Sequence, residues 1–215
     1  TPVQNVGAYG VEVSELIESV EAINVDTLEK KVFSSQECTF GYRDSFFKTS
    51  EGKGWCVTFV TYKLSKTKKP VLHYKDLLIL QEDSEVLQEK IRSHVIAVRG
   101  QKFPDWKKVG TAGSFFKNPI IPKQQFGVLQ KKYPDLPGHA VVSGDIKVSL
   151  GWILDKLCDL KGYKLGNVRL YEKQALVLVA DSQATSDDVH SFIESIKKIV
   201  KEKTEIEIER EVLTV

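Results

Sequence analysis

The chain has 215 residues, 41% hydrophobic and 28% charged, enough for one sizeable core or two modest ones. With 31 basic against 29 acidic residues the net charge is +2, which leaves no broad electrostatic footprint for nucleic acid. Three scattered cysteines (Cys38, Cys56, Cys158) with no CxxC pair argue against a disulfide framework or a zinc site, and no apolar run approaches the roughly 20 residues that span a bilayer.

The chain opens TPVQNVGAYG, a loop-like stretch with two glycines, and it holds no methionine. We read it as a piece of something longer. SVEAINVD (19–26) and KKVFS (30–34) alternate about Asp26 and Thr27, which predicts a hairpin. ECTFGYRDSFFK (37–48) lacks periodicity and reads as an ordered loop, whereas WCVTFVTYKLS (55–65) is β-branched and aromatic and reads as a strand. KTKKP then breaks it as a solvated cationic turn. Behind Asp83 and Ser84, the residues Val86, Leu87, Ile91, Val95 and Val98 recur at helical spacing and predict a helix over 84–99, ended by Gly100 and Pro104.

RGQKFPDWKK (99–108) reads as a connector to a second half that opens on GTAGSFFKNP (110–119). A short helix near 122–132 and a Pro/Gly loop at 134–144 follow. SLGWILDKLCDL (149–160) predicts an amphipathic helix with Trp152, Ile153 and Leu157 inward, and ALVLVA (175–180) a buried strand. In TSDDVHSFIESIKKIVKEK (185–203) the apolar face is Val189, Phe192, Ile193, Ile196, Ile199 and Val200, with Ser186 as the expected cap. EIEIEREVL at the end alternates as a closing strand. The class is α+β in two lobes.

Several clusters carry chemistry or plain structure. GTAGSFFKNP is neither a P-loop nor a GxSxG elbow, so Ser114 caps a turn or reacts, and the residues alone leave both open. FGYRDS (40–45) pairs Arg43 with aromatics and Asp44, either as a local ion pair or as a fixed cation for an oxyanion or phosphate. QNVGAYG (4–10) is an ordinary turn or a backbone that approaches a flat ligand closely. Glu205, Glu207, Glu209 and Glu211 read as a solvent face, and the four histidines show no metal-ligand spacing, so no metal is assigned.

In combination, PVQNVGAYG, FGYRDSFFK, PVLHYKDL, KFPDW, GTAGSFFKNP, GWILDKLCDLKGYKLG, QALVLV and EREV, in that order, resemble the UDP-N-acetylenolpyruvoylglucosamine reductase (MurB) family across Thr1 to Val212. YKDL at Tyr74 is similar to the subtype with a mobile tyrosine loop. The resemblance implies part of an FAD-binding, PCMH-like domain over residues 1–100 with the final strand 207–215, and a substrate-binding domain over 101–206, with the earlier flavin-gripping region absent. It implies that NADPH reduces FAD and that the flavin then reduces the enolpyruvyl ether of UDP-N-acetylglucosamine enolpyruvate to UDP-N-acetylmuramate. Ser114 becomes the proton donor, with Arg43 and Glu211 as its catalytic partners. Tyr74, Lys102, Asn118 and Gln174 become substrate contacts, and Gln4, Asn5, Gly7, Ala8 and Tyr9, with Arg43, line the flavin. A monomeric enzyme of the bacterial cytoplasm, without nucleic-acid or membrane partners, is expected, the alternative being a UDP-sugar-binding module without turnover. The chain departs from the family at Leu213, Ala180, His139 and Leu150, which bear on the pocket edge and not on Ser114, Arg43 or Glu211.

Overall fold

The computed structural model describes residues 1–67, 69–81 and 88–213. Its contacts divide the chain into two compact units, Thr1–Ile96 and Ala97–Val215. Both mix helix and strand, as the α+β expectation requires. No helix among the described residues is long and apolar enough to cross a membrane.

The first unit begins with a small antiparallel pair, β1 (Gly7–Ala8) and β2 (Val11–Glu12). The predicted hairpin forms from β3 (Ile17–Asn24) and β4 (Lys30–Ser34), with Val20 opposite Phe33, and β5 (Trp55–Tyr62) pairs along the other edge of β3. Alternation puts Val20, Ala22 and Phe33 on the face that buries Cys38 and Phe47, and a register shift between Ile17 and Ser19 brings Ile17 into the same core. Phe33 sits at the centre of an aromatic cluster, 5.2, 5.4 and 5.0 Å from the rings of Phe46, Phe47 and Trp55. Residues 37–48 form the expected ordered loop, which ends in a 3-10 turn at Phe46–Lys48.

Helix α1 (Gln88–Lys102) runs past Gly100 and ends two residues before Pro104, the second of the two residues expected to stop it. An exposed helical glycine costs only about 1 kcal/mol relative to alanine, too little to end a helix by itself. The expected start and its Val86 and Leu87 lie outside the described residues. His94 Nε2 lies 2.7 Å from the carbonyl oxygen of Asp76, so this helical histidine is satisfied structurally.

The second unit holds two three-stranded antiparallel sheets. In one, β8 (Ile146–Val148) lies between β6 (Ile120–Ile121) and β7 (Gly138–Ala140); in the other, β10 (Val168–Tyr171) lies between β9 (Lys164–Leu165) and β11 (Gln174–Ala180). The stretch read as a Pro/Gly loop therefore contains strand β7. Helix α2 (Lys123–Lys132) falls where predicted.

The helix expected over 149–160 is instead a single turn, α3 (Leu150–Trp152), continued by a π turn over Ile153–Leu157 and closed by Cys158 N–H to the Ile153 carbonyl at 2.8 Å. A π turn adds a residue to the helical period. Leu150, Ile153 and Leu154 thus take the core, while Trp152 and Leu157 are only half-buried.

Helix α4 (Ser186–Thr204) buries the predicted stripe, with Phe192, Ile196 and Val200 fully inaccessible. Its cap is Thr185, one residue before the serine expected there. The Thr185 hydroxyl accepts from Asp188 N–H (3.1 Å) and the Asp188 carboxylate accepts from Thr185 N–H (2.9 Å), a reciprocal capping box. The closing segment keeps its alternation, with Ile206 and Ile208 each 2% exposed. It pairs only locally, through a bridge between Phe116 and Arg210. Ile206 and Ile208 pack in the core of the second unit, and Val212 packs against it partly buried.

Two predictions follow from these contacts. Thr185→Ala should lower unfolding stability by about 0.5–2 kcal/mol in urea titration at neutral pH, and Ser186→Ala should change it far less. The Thr185 backbone N–H, then its hydroxyl, holds the Asp188 carboxyl below its ordinary value. The carboxylate half of the box therefore contributes above the unfolded carboxylate range and fades as pH falls through the folded value, so the penalty of Asp188→Asn should shrink in acid. The thiols divide as well. Burial, then the Glu37 charge, pushes Cys38 up to about 11, and burial raises Cys158, while Cys56 is exposed. Titration with a chromogenic thiol reagent near neutral pH should show one fast-reacting thiol, lost in Cys56→Ser.

Candidate active site

The predicted residues fall into two groups, one in each unit. In the first unit, Gln4 to Gly10 is sewn to the loop 41–48 by side chains. Asn5 is 1% exposed; its Nδ2 donates to Glu12 Oε2 (2.9 Å) and to the Gly41 carbonyl (2.8 Å), and its Oδ1 accepts from Ser14 N–H (3.1 Å). Both amide protons are thus used by protein acceptors. The Ser45 hydroxyl, also buried, donates to the Val3 carbonyl at 2.7 Å.

Arg43 sits at the tip of a tight turn closed by backbone hydrogen bonds in both directions between Gly41 and Asp44. Its guanidinium donates to the Gly7 carbonyl at 2.6 Å and to the Asn5 carbonyl at 3.3 Å. A Cβ on Gly7 would stand 2.9 Å from Arg43 Nη1 and 3.2 Å from the Val11 carbonyl, so a side chain here would push the guanidinium from its present place. The backbone is left-handed at Asn5 (φ 41°), Tyr9 (φ 54°) and Arg43 (φ 55°). Such conformations cost on the order of 1–3 kcal/mol each in non-glycine residues and persist where surrounding contacts enforce them. The Tyr9 ring meets the ring of Tyr74 edge-on at 5.3 Å. Gly7 and Ala8 form β1, and Gln4 accepts from Lys48 Nζ at 3.1 Å.

In the second unit, the glycine-serine segment is held on both sides. Gly110 exchanges backbone hydrogen bonds with Ala180, the Thr111 hydroxyl donates to the Leu178 carbonyl (2.8 Å), and Phe115 N–H donates to the Leu176 carbonyl (2.8 Å). On the opposite edge Glu211 N–H donates to the Phe115 carbonyl (2.8 Å), and Lys117 N–H to that of Glu209 (3.0 Å). Residues 114–117 therefore run extended and strand-like between β11 and the closing segment, joined by isolated bridges at Ser114–Val177 and Phe116–Arg210. Gly113, at φ 76°, supplies the turn before it.

Ser114 bridges to Val177 and is partly buried, and among the described residues its hydroxyl has no hydrogen-bond partner. The capping alternative for Ser114 thus has no contact behind it. Phe115 and Phe116 pack in the core, at 6% and 2% exposure. Asn118 Oδ1 accepts from Leu150 N–H (3.0 Å), which ties the end of the motif to α3. Gln174 opens β11 and Lys102 ends α1.

Ser114, Glu211, Asn118 and Gln174 are thus brought onto one framework around β11, while Arg43, Tyr74 and Gln4 to Tyr9 share another. Sequence reasoning missed Lys48, Ser45 and Thr111, whose side chains hold these frameworks; hydroxyls and a lysine in a loop give no periodic signal. A surface cavity of about 380 Å³, lined by Lys31, Phe33, Glu37, Phe46, Glu51 and Trp55, includes none of the predicted residues. The shifted carboxyls also lie elsewhere. Ser34 holds Glu37 down to about 2, and Arg169, with Lys164, lowers Asp181. Among the described residues no group of three or more His, Cys, Asp or Glu is arranged to hold a metal ion.

Residues 104–215 match the family described as UDP-N-acetylenolpyruvoylglucosamine reductase, C-terminal domain. Proteins named UDP-N-acetylenolpyruvoylglucosamine reductase from Pasteurella multocida and Aliivibrio fischeri are 43% and 38% identical over 98% of this chain. The chain spans only 61% and 60% of their lengths. The crystal structure of UDP-N-acetylenolpyruvylglucosamine reductase (MurB) from Thermus caldophilus shares the fold, with a TM-score of 0.60 at 23% identity over 99% of this chain and 57% of that one. With the family match covering the whole serine framework, the chain belongs to the UDP-N-acetylenolpyruvoylglucosamine reductase family.

Proposed function

We propose that this chain is the catalytic portion of an NADPH-dependent flavoenzyme that reduces the enolpyruvyl ether of UDP-N-acetylglucosamine enolpyruvate to UDP-N-acetylmuramate, in the bacterial cytoplasm, as a monomer. The observation that carries this reading is the Ser114 hydroxyl, partly buried and without a protein partner among the described residues, on a strand fixed from both edges. Family membership supports it independently.

The first unit offers a backbone-lined surface suited to a flat ring: a glycine packed against the arginine, a left-handed tyrosine and a clamped guanidinium. We assign the flavin contacts to Gln4, Gly7, Ala8, Tyr9 and Arg43, with Asn5 contributing through its backbone. Bound FAD, replenished by NADPH, would supply hydride to the vinyl carbon.

The chain's own residues do the rest. Ser114 Oγ–H delivers the proton to the adjacent carbon. A serine hydroxyl is a weak acid, so its conjugate base and the developing enolate both need a prepared electrostatic setting. Arg43, permanently charged, balances the substrate carboxylate. Glu211, held beside the serine strand by its own N–H, assists the return of a proton to Ser114. Tyr74, Lys102, Asn118 and Gln174 grip the diphosphate and uridine ends, since ionised acceptors make the stronger hydrogen bonds. Residues 101–206 are the substrate-binding part and 1–100 the flavin-contacting part.

A second reading is a UDP-sugar-binding module without turnover, favoured for the chain by itself because it spans about three fifths of its relatives' length. The two separate on the parent gene product. NADPH added anaerobically should bleach a bound flavin, and the enolpyruvyl UDP-sugar should restore the oxidised spectrum; a colourless protein that binds the sugar nucleotide leaves only the module. Ser114→Ala should slow the substrate-driven return of colour by about 10²- to 10⁴-fold while NADPH bleaching stays near the parent rate. Equal slowing of both steps would remove Ser114 as the proton donor.

A further inference from the structure

Lys48 has no assigned role, yet its contacts single it out among the basic residues of the first unit. It ends the 3-10 turn Phe46–Lys48, next to the buried Phe47. Among the described residues its ammonium meets no carboxylate; it donates to the Arg43 carbonyl at 2.8 Å and to Gln4 Oε1 at 3.1 Å. A carbonyl bound by a charged donor is a stronger anchor than one bound by a neutral amide.

The anchored carbonyl belongs to the residue that most needs anchoring. Arg43 carries the left-handed φ of 55°, and its guanidinium is fixed at the other end by the Gly7 and Asn5 carbonyls. Lys48 thus ties the backbone of Arg43 to the side chain of Gln4, in the same 4–7 segment that receives the guanidinium. Backbone, side chain and receiving loop close into one ring of contacts. Ser45 and Asn5 hold the loop as a whole, but neither side chain bonds to Arg43.

We propose that Lys48 is a positioning residue for Arg43: its ammonium holds the left-handed turn that aims the guanidinium at the anionic substrate. The proposal rests on the reading of Arg43 given above. It places Lys48 outside direct contact with the reacting atoms, so loss of the ammonium should act through the orientation of the arginine.

The test uses the full-length holoenzyme, with two readouts. The first is the guanidinium Nε–H resonance of Arg43 in ¹⁵N-labelled protein, identified by its disappearance in Arg43→Lys. Lys48→Met should broaden or shift this resonance and speed its exchange with water, and Lys48→Arg should restore most of the protection. The second is stopped-flow flavin absorbance. Lys48→Met should slow reoxidation by the enolpyruvyl substrate by roughly 10- to 100-fold, the scale of one hydrogen bond to a charged group. NADPH-driven reduction should stay within about twofold of the parent rate.

A protected Arg43 resonance in Lys48→Met, or equal slowing of both half-reactions, would overturn the proposal. If the parent enzyme itself ignores the enolpyruvyl substrate, the reductase reading fails, and the Arg43 resonance alone still decides whether Lys48 orients the guanidinium. Lys48→Gln, with a shorter uncharged donor, provides the same comparison should Lys48→Met not fold.

Discussion

Residues 110–117 have backbone partners on both edges, and the candidate chemistry depends on that. A strand with one free edge can slip by a residue and turn every side chain to the wrong face. Here Gly110, Thr111 and Phe115 are bound to β11, and Phe115 and Lys117 to the closing segment at 209–211. Two buried phenylalanines follow the serine directly and add an apolar penalty to any slip. Ser114 thus keeps a fixed place although its own hydroxyl contributes nothing to holding it there. The same pairing brings Glu211, near the end of the chain, next to the serine strand.

The first unit solves a different problem. It presents an arginine and an exposed run of backbone from loops, which have no ladder of their own. Polar side chains supply the missing rigidity. Asn5 makes three hydrogen bonds while almost completely buried, and Ser45 and Lys48 add theirs. A satisfied buried polar network holds one geometry, because any other leaves groups unpaired at full desolvation cost. That network also bears on the left-handed backbone of Arg43, a conformation that asparagine adopts readily at Asn5 but that arginine seldom does.

Electrostatic perturbation is distributed away from these frameworks. The carboxyls held low, Glu37, Asp181, Asp188 and Glu207, serve turns, ion pairs and a helix cap. Their partners are local hydroxyls, backbone amides and lysine or arginine side chains, and each contributes to structure rather than to reaction. The proposed acid is a serine, whose strength would depend on bound substrate and cofactor charges. Geometry, rather than titration of the chain alone, is therefore what supports the assignment of Ser114.

The sequence by itself determined the elements whose burial is periodic: the β3–β4 hairpin, β5, α2, the buried strand β11 and the apolar stripe of α4 from Phe192 to Val200. It also determined the motif set that marks the family, since GSFFKNP, QNVGAYG and FGYRDS need no coordinates to be read. Tertiary structure decided what periodicity does not encode. Thr185 rather than Ser186 caps α4, because the cap is chosen by backbone angles one residue upstream of the first helical turn. The π turn at Ile153–Leu157 sent Leu154 inward and left Leu157 half-exposed. Above all, pairings between distant segments, Glu211 with Phe115, Asn5 with Gly41 and Lys48 with Arg43 and Gln4, came only from the fold. A single loop lysine or asparagine leaves no trace in a hydrophobic pattern, because its value lies in a hydrogen-bond partner that folding brings within reach.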